Sequence, residues 1–166
     1  MNPSIADTIK KRDKPKDVFI TPKKLADFAI SMIEYKNTDI WLDPFKNSGN
    51  YFNNFPSDYI DWCEILDGKD FFEYNKPVDI ICSNPPYSCL DKVLAHSVSL
   101  RPRVIQYLIG FHNLTAKRIE FMEKNHYFIK KLHFCKVYKW FGMSVIVQFE
   151  KGADSIISYD RVVWRN

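Results

Sequence analysis

An open α/β sheet, mostly parallel and closing with an antiparallel hairpin, is the architecture that this sequence favours. Short apolar runs alternate with segments of helical periodicity along most of the 166 residues. Several of these runs stop abruptly at turns rich in Gly, Asn, Ser or Pro. The last two runs, 128–138 and 144–149, follow each other through a short loop, which is typical of a hairpin.

The amino-terminal third predicts a tail, a helix and a strand. Residues 1–16 are polar and basic without periodicity, and we expect them to form a tail. Thr21 and Pro22 indicate a helix start, with Thr at the N-cap and Pro at the first helical position. The helix is expected to reach Tyr35, with an apolar face formed by Leu25, Phe28, Ala29, Met32 and Ile33. Residues 40–42 predict a strand that ends at Asp43.

The remaining elements alternate in the same way. Residues 59–65, 78–82 and 103–109 predict strands. Ser88 or Asp91 is expected to open a helix, and Asn113 and Thr115 are candidate caps of another that reaches about Lys124. The length favours one domain spanning 1–166, without a separate target-recognition domain.

Composition narrows the possible classes of protein. No apolar run approaches the roughly 20 residues of a membrane span, and the polar start is no signal peptide, so we expect a soluble, cytoplasmic protein without membrane contact. Four cysteines and four histidines are scattered without metal-ligand spacing, so no metal site is predicted. The net charge of +4 and several basic stretches favour a nucleic-acid partner over a neutral one, although such stretches also occur on ordinary solvated surfaces.

The turn Asn84-Pro85-Pro86-Tyr87, directly after an apolar run, is the most informative stretch. Two prolines fix φ and remove two backbone donors, which leaves carbonyl groups pointing outward. The Asn84 amide oxygen, a rigid carbonyl and the ring of Tyr87 together suit a planar amine such as the exocyclic nitrogen of adenine. The alternative is a turn that happens to contain two prolines.

Two further features fall at the ends of neighbouring predicted strands. Gly, Asn and Ser concentrate in the Asp43–Asn50 turn, which therefore tolerates positive φ. Glu64 follows the next strand, where acids accept hydrogen bonds from ribose hydroxyls in nucleotide-binding sheets. The turn lacks the Gly-x-Gly-x-x-Gly pattern, so a pyrophosphate-bearing dinucleotide is not favoured.

These residues resemble the class I S-adenosylmethionine-dependent amino-methyltransferases of the N6-adenine type. Asn84–Tyr87 is identical to their Asn-Pro-Pro-Tyr catalytic motif. The segment 43–51 looks like their cofactor loop, usually Asp-Pro-x-x-Gly-x-Gly-x-Phe, with Asn47 in place of the first Gly. Asn is the next best residue at positive φ, so we expect cofactor binding to be weakened rather than lost.

The resemblance implies a Rossmann-like class I methyltransferase fold, S-adenosyl-L-methionine as cofactor and a set of site residues. Asn84, Pro85, Pro86 and Tyr87 would be catalytic. Cofactor-binding roles would fall to Phe19, Thr21, Pro22, Asp43, Pro44, Ser48, Gly49, Glu64, Asp70 and Phe71. Tyr87, Trp140 and Phe141 would contact the substrate base. Only 65–69 separate Glu64 from the Asp70-Phe71 pair, too few for the family's intervening helix and strand, so this region is expected to be reduced.

The implied reaction is N6-adenine methylation, with DNA favoured over RNA. The same turn serves cytosine N4, RNA adenine or a protein glutamine amide in related enzymes, and these remain alternatives. A second class of function is a catalytically inactive, methyltransferase-like nucleic-acid-binding subunit, suggested by Asn47 and by the reduced region. The expected lack of a recognition domain predicts weak sequence specificity, a single-stranded or RNA target, or a partner subunit that supplies readout.

Overall fold

The computed structural model describes residues 19–152, 154–159 and 161, so the tail expected for 1–16 lies outside the described residues. One six-stranded sheet organises the fold, with the order β2-β1-β3-β4-β6-β5. The strands are β1 (Trp41–Asp43), β2 (Ile60–Trp62), β3 (Ile80–Ser83), β4 (Val104–Gly110), β5 (Tyr127–Cys135) and β6 (Ser144–Lys151). The first four are parallel, and β6 lies antiparallel between β4 and β5. The predicted hairpin is confirmed.

Within the described residues, three α-helices cover the two faces of this sheet. They are α1 (Lys23–Ser31), α2 (Leu90–Ser99) and α3 (Ala116–Lys124). Alternate residues of the strands point to opposite faces, so Leu42 and Ile81 pack with α2 and α3, whereas Trp41 and Ile80 pack with α1. The core is therefore divided by the sheet into two apolar layers, as expected for a parallel α/β fold.

The first helix differs from its sequence-based prediction. Pro22 is its N-cap and the Thr21 side chain makes no capping hydrogen bond, so the helix begins at Lys23 and ends at Ser31 rather than near Tyr35. The buried stripe is Ala26, Ala29, Ile30 and Ile33. Two alanines allow the helix to approach the sheet closely, while Phe28 is 42% exposed and packs on His133 of β5 instead. Ala29 and Ile33 are buried as predicted, whereas hydrophobicity alone did not indicate Ala26 and wrongly favoured Phe28.

The predicted reduction after β2 is confirmed. Between Glu64 and Val78 the chain forms only two short 3₁₀ turns, Ile65–Asp67 and Phe71–Glu73, and no helix or strand. The strand predicted for 59–65 is limited to β2, and this strand is the edge of the sheet. β5 likewise ends at Cys135 rather than Tyr138. Thr115 is the N-cap of α3, as predicted, whereas α2 begins at Leu90 after a 3₁₀ turn that holds Ser88.

The chain reverses its direction of winding between β1 and β3. From β1 it moves outward to β2, and then it crosses back over β1 to β3. Ligands of open α/β sheets bind outside the carboxyl ends of the strands at such a switch point. β1 ends at Asp43 and β3 ends at Ser83, directly before Asn84. The topology therefore brings the two turns singled out in the sequence to one edge of the sheet.

Candidate active site

A cavity of about 190 Å³ lies at this switch point. Four separate segments of the chain line it: 19–21, the loop after β1, the end of β2 and the turn after β3. The lining residues are Phe19, Ile20, Thr21, Phe45, Lys46, Asn47, Ser48, Asn50, Tyr51, Glu64, Ile65, Asn84, Pro85 and Pro86. Residues from each of the predicted motifs except the Asp70-Phe71 pair therefore meet around one space.

The loop after β1 has the backbone geometry that its composition indicates. Asn47 has φ 44° and Gly49 has φ 80°, both in the left-handed region. A Cβ at Gly49 would lie 2.7 Å from the Asn53 side-chain nitrogen Nδ2, so a larger residue would displace that side chain in addition to straining φ. Asn50 donates from Nδ2 to the Thr21 carbonyl at 2.8 Å, which joins the loop to the segment before α1.

Asp43 holds the loop after β1 in place through hydrogen bonds. It is fully buried, and its Oδ1 accepts hydrogen bonds from Ser83 Oγ at 2.6 Å and from the Phe45 backbone at 3.2 Å. Its Oδ2 accepts from the Phe52 backbone at 3.3 Å. Burial raises the pKa of Asp43 from 3.8 to about 6, because these donors offset only part of the lost solvation. Asp43 thus ties the cofactor-type loop to the end of β3.

Glu64 connects the end of β2 to the same loop. Its Oε2 accepts from the Asn47 backbone at 2.9 Å, and its Oε1 accepts from the Leu66 backbone at 3.2 Å. The first bond holds Asn47 in its positive-φ conformation. Each carboxylate oxygen has a further lone pair, so Glu64 can still accept hydrogen bonds from hydroxyl groups in the cavity.

The Asn84 side chain is satisfied on one side only. Its Nδ2 donates to the Phe19 carbonyl at 2.9 Å, which fixes the orientation of the amide group. Its Oδ1 is buried and has no hydrogen-bond partner among the described residues. An acceptor left in this state costs about 1–3 kcal/mol. A ligand that brings an N–H to Asn84 Oδ1 would recover this cost.

Phe19 covers the turn at 84–87. Its ring is stacked on that of Tyr87, with centroids 5.8 Å apart and an interplanar angle of 21°. Trp140, in the loop between β5 and β6, packs on Phe19 with centroids 5.2 Å apart. Phe19 therefore contacts both the turn and this loop, and its ring covers one face of the Tyr87 ring.

Several of the predicted site residues do not line the cavity. Asp43, Pro44 and Gly49 lie in the loop behind its lining, and Pro22 caps α1. Asp70 accepts a hydrogen bond from the Phe72 backbone at 2.9 Å, and Phe71 is buried in the core. Phe71 packs on Phe45 with centroids 5.3 Å apart, so it contacts the cavity wall from behind. Tyr87, Trp140 and Phe141 also lie outside the lining, and Phe141 is 90% exposed.

Sequence reasoning missed other residues of the site. Phe45, Lys46, Asn50, Tyr51, Ile20 and Ile65 line the cavity, and Ser83 bonds to Asp43 from the last position of β3. The position of Asn50 and Tyr51 within the loop could have suggested them. Ile20 and Ile65 carry no such signal, because they look like any apolar residue near a strand or helix end.

No cluster of three or more His, Cys, Asp or Glu side chains occurs within the part of the chain that the structure describes. In the same residues, no helix has both the length and the apolar character needed to cross a bilayer.

Solved structures with the same fold are methyltransferases. A dimethyladenosine transferase from Plasmodium falciparum has a TM-score of 0.59 at 16% identity, over 80% of this chain and 62% of that one. The type I restriction enzyme EcoKI M protein has a TM-score of 0.59 at 11% identity, over 90% of this chain. Magnesium protoporphyrin IX methyltransferase from Synechocystis PCC 6803, solved with bound SAH, has a TM-score of 0.57 at 9% identity, over 88% of this chain and 93% of that one.

The match to the M protein covers 47% of that chain, so this chain spans about half of its length. No protein-family model matches the chain, and no curated protein matches it. At such identities the similarity concerns the fold alone. The predicted architecture is confirmed: the protein has the Rossmann-like fold of class I methyltransferases.

Proposed function

We propose that this protein transfers a methyl group from S-adenosyl-L-methionine to the exocyclic N6 amine of adenine in DNA. The observation that carries the proposal is the buried, unpartnered Asn84 Oδ1 beside the cavity at the switch point. An acceptor held in place by a second hydrogen bond is suited to receive an N–H group from a planar amine.

The cavity residues fit a nucleoside that carries an amino-acid group. Glu64 stands at the end of β2, where ribose hydroxyls are bound in nucleotide-binding sheets. Phe45 and Ile65 offer apolar surface for a base next to it, and Thr21 and Ser48 offer polar groups to the amino-acid end. When bound, S-adenosyl-L-methionine supplies an activated methyl group on its sulfonium. No phosphate group has to be accommodated, in agreement with the absence of a glycine-rich phosphate loop.

The protein's contribution to the transfer would be positioning. The adenine amine is a weak nucleophile because its lone pair is delocalised into the ring. Hydrogen bonds from its two N–H groups to Asn84 Oδ1 and the Pro85 carbonyl would localise the lone pair and aim it at the methyl carbon. Asn84 and Pro85 would hold the amine while it accepts the methyl group, with cleavage of the C–S bond balancing formation of the N–C bond and the amine proton passing to solvent. No strong general base is required.

A nucleic-acid substrate is supported by charge and by aromatic surface. The chain carries 24 Lys and Arg residues against 20 Asp and Glu residues. Tyr87 belongs to the Asn84 turn, and Trp140 and Phe141 belong to the loop that contacts Phe19 beside this turn. Base-modifying enzymes unstack their target, and aromatic rings commonly receive it. The neighbours named a dimethyladenosine transferase and a restriction M protein are consistent with an adenine in RNA or DNA.

The test is methyl transfer from labelled S-adenosyl-L-methionine to single-stranded DNA, duplex DNA, RNA and a protein mixture, with nucleosides identified by mass spectrometry. We expect N6-methyl-2′-deoxyadenosine from DNA as the strongest product, a weaker N6-methyladenosine signal from RNA, and about 10²–10³-fold less of either with the Asn84→Ala variant. Label confined to protein would reject the nucleic-acid substrate, and N4-methylcytosine would reject adenine.

The second candidate is a methyltransferase-like binding subunit without catalysis, because Phe19 covers the turn that would activate the amine. Calorimetry with S-adenosyl-L-methionine separates the two. Cofactor binding together with transfer supports the enzyme. Nucleic-acid binding without detectable cofactor binding supports the subunit.

A further inference from the structure

A strip of exposed aromatic and apolar side chains borders the candidate active site. We define the aromatic rim as Phe111, Phe134, Tyr138, Phe141 and Met143. Tyr138 is 84% exposed and Phe141 is 90% exposed, and the other three are about half exposed. Neither the cavity nor the core contains any of them.

The sheet brings these residues together at its carboxyl edge. The Phe111 backbone donates to the Met143 carbonyl at 2.8 Å, which joins the end of β4 to the start of β6. The rings of Phe111 and Phe134 lie in contact, with centroids 5.2 Å apart. Cys135 and Gly110 both pair with Ser144 in the ladder. Phe111, Phe134 and Met143 therefore lie together where three neighbouring strand ends meet, and Tyr138 and Phe141 belong to the loop that joins two of these strands.

The loop between β5 and β6 is held so that it presents its aromatic residues to solvent. Lys136 donates from Nζ to the Trp140 carbonyl at 2.6 Å and to the Gly142 carbonyl at 2.7 Å. Val137 is buried beneath the loop, while the neighbouring Tyr138 points outward. Trp140, within this loop, packs on Phe19 and so connects the rim to Tyr87.

The chain segments that carry the rim are basic in sequence. Residues 111–118 and 133–143 contain four Lys and Arg (Lys117, Arg118, Lys136 and Lys139) and no Asp or Glu. Arg118 is paired with Asp91, and Lys136 is engaged within the loop. Lys139 lies over the Tyr138 ring at 5.4 Å, which places a cation next to an exposed π face. Exposed aromatic rings with a cation beside them are complementary to a polyanion that also carries aromatic bases.

We infer that the aromatic rim binds an unpaired nucleic-acid strand, whose bases next to the target stack on Tyr138 and Phe141. This inference rests on the proposed function for the nature of the target base. Unpaired bases offer free π faces and a phosphate chain, and stacking on exposed aromatic rings with cations alongside is how such strands are held. Bases of a duplex are already stacked and would leave these rings in water. The rim thus selects single-stranded over duplex substrate.

Binding can be measured without any methyl donor. Fluorescence anisotropy would compare a labelled single-stranded DNA oligonucleotide, the same sequence as a duplex, and an acidic peptide. The test variants are Tyr138→Ala/Phe141→Ala and Lys139→Ala. The matched controls are Tyr59→Ala, which removes a 57% exposed ring before β2, and Lys36→Ala, which removes an exposed lysine before β1.

We expect the single strand to bind more tightly than the duplex. The double variant should raise its Kd by at least about thirtyfold, since it removes two stacking rings and each stacked base is worth about 1–3 kcal/mol. Lys139→Ala should reduce the slope of log K against log salt by about 0.7, the value of one released counterion. The two controls should change Kd by less than about twofold. Unchanged thermal unfolding would show that the variants remain folded.

Tighter duplex binding, binding of the acidic peptide alone, or equal losses in the Tyr59→Ala control would each overturn the inference. These outcomes are separate from those for the proposed function. A chain that binds single strands through the rim but transfers no methyl group would contradict only the proposed enzyme. Undiminished methylation and binding of single strands by the double variant would contradict only the rim.

Discussion

The two halves of the candidate site differ in how their polar groups are satisfied. In the half formed by the β1 loop and Glu64, the two carboxylates already accept backbone hydrogen bonds, and Asn47 is held in its unusual conformation. In the half formed by the Asn84 turn, one amide oxygen has no partner among the described residues, and Phe19 covers the turn. The first half, which we propose binds the cofactor, is preorganised, whereas the second half, which we propose binds the amine, is covered by Phe19.

This difference indicates a division of energetic roles. Groups that are already held in place require no further loss of conformational entropy when a ligand binds. The first half should therefore contribute mainly to the affinity for the cofactor that we propose binds there. An unsatisfied acceptor gains its partner only when the amine arrives, so the second half should contribute mainly to the rate. Substitutions in the two halves should therefore affect different measured quantities.

The largest effect is expected for Asn84→Ala. Without the acceptor, the amine is neither aimed nor activated, and kcat should fall by about 10²–10³, as it does when one donor of an oxyanion hole is removed. The Kd for S-adenosyl-L-methionine should stay within about twofold, because the first half is untouched. Single-turnover methyl transfer and calorimetry measure the two quantities. A loss of cofactor affinity as large as the loss of rate would contradict the division.

The next effect concerns Asp43, which joins the two halves through Phe45, Phe52 and Ser83. Its pKa is raised to about 6 in the folded protein, so its contribution to stability is fully present below the unfolded pKa and is lost as pH rises through about 6. A shift of about two units corresponds to up to about 3 kcal/mol.

An Asp43→Asn variant cannot ionise, so the wild type should lose stability relative to it between pH 4 and 7. Thermal unfolding of both proteins across this range measures the difference in Tm. Parallel curves for the two proteins would show that Asp43 does not titrate in this way.

Glu64→Gln should weaken cofactor binding by about tenfold with little change in kcat at saturation. The glutamine has one acceptor instead of two, so it cannot satisfy both the Asn47 and the Leu66 backbone donors. Isothermal titration with S-adenosyl-L-methionine provides the measurement. Glu73→Gln, which changes an exposed glutamate in the next turn, is the control and should behave as wild type. An equal effect in both variants would exclude a specific role for Glu64.

The smallest effect is expected for Phe19→Ala. The Phe19 ring is stacked on Tyr87, so it must move away before a target base can stack there. Separating such an aromatic pair costs about 0.5–1.5 kcal/mol of free energy. Removal of the ring should therefore lower KM for nucleic acid by about two- to tenfold, while the backbone carbonyl that holds Asn84 remains. Steady-state kinetics measure this, with Phe28→Ala as a control for loss of a phenyl ring. A raised KM would mean that Phe19 assists binding of the base.

The fold was predictable because its signals are local. Apolar runs and the turns after them indicated the strands and their order of occurrence, and the short Glu64–Asp70 spacing indicated the missing helix and strand. The buried face of α1 was predicted only in part: Ala29 and Ile33 are buried as expected, but the place of Ala26 at the helix–sheet contact and the exposure of Phe28 cannot be read from hydrophobicity. Element ends were also misplaced wherever tertiary packing decided them.

The residues of the candidate site could be predicted where a sequence motif places them at the end of a strand. Asn84 and Glu64 lie on the cavity, as expected of residues at strand ends. The contact between Phe19 and Tyr87 joins positions 68 residues apart and leaves no pattern in the sequence. Phe71 was assigned to the ligand, but its ring lies behind Phe45, a neighbour that only the fold reveals. Its role in cofactor binding stays a prediction.

The missing helix and strand have a consequence for association between molecules. They leave β2 as the border of the sheet, with an outer side that no strand of the described residues pairs. Open strand edges promote edge-to-edge aggregation unless they are short or charged. β2 has only three residues, Asp61 is paired with Lys76, and Lys46 and Lys69 lie over the Trp62 ring at 3.8 and 3.6 Å. The loss of the helix and strand after β2 is thus accompanied by charged side chains along β2, which disfavour pairing of this edge with another strand.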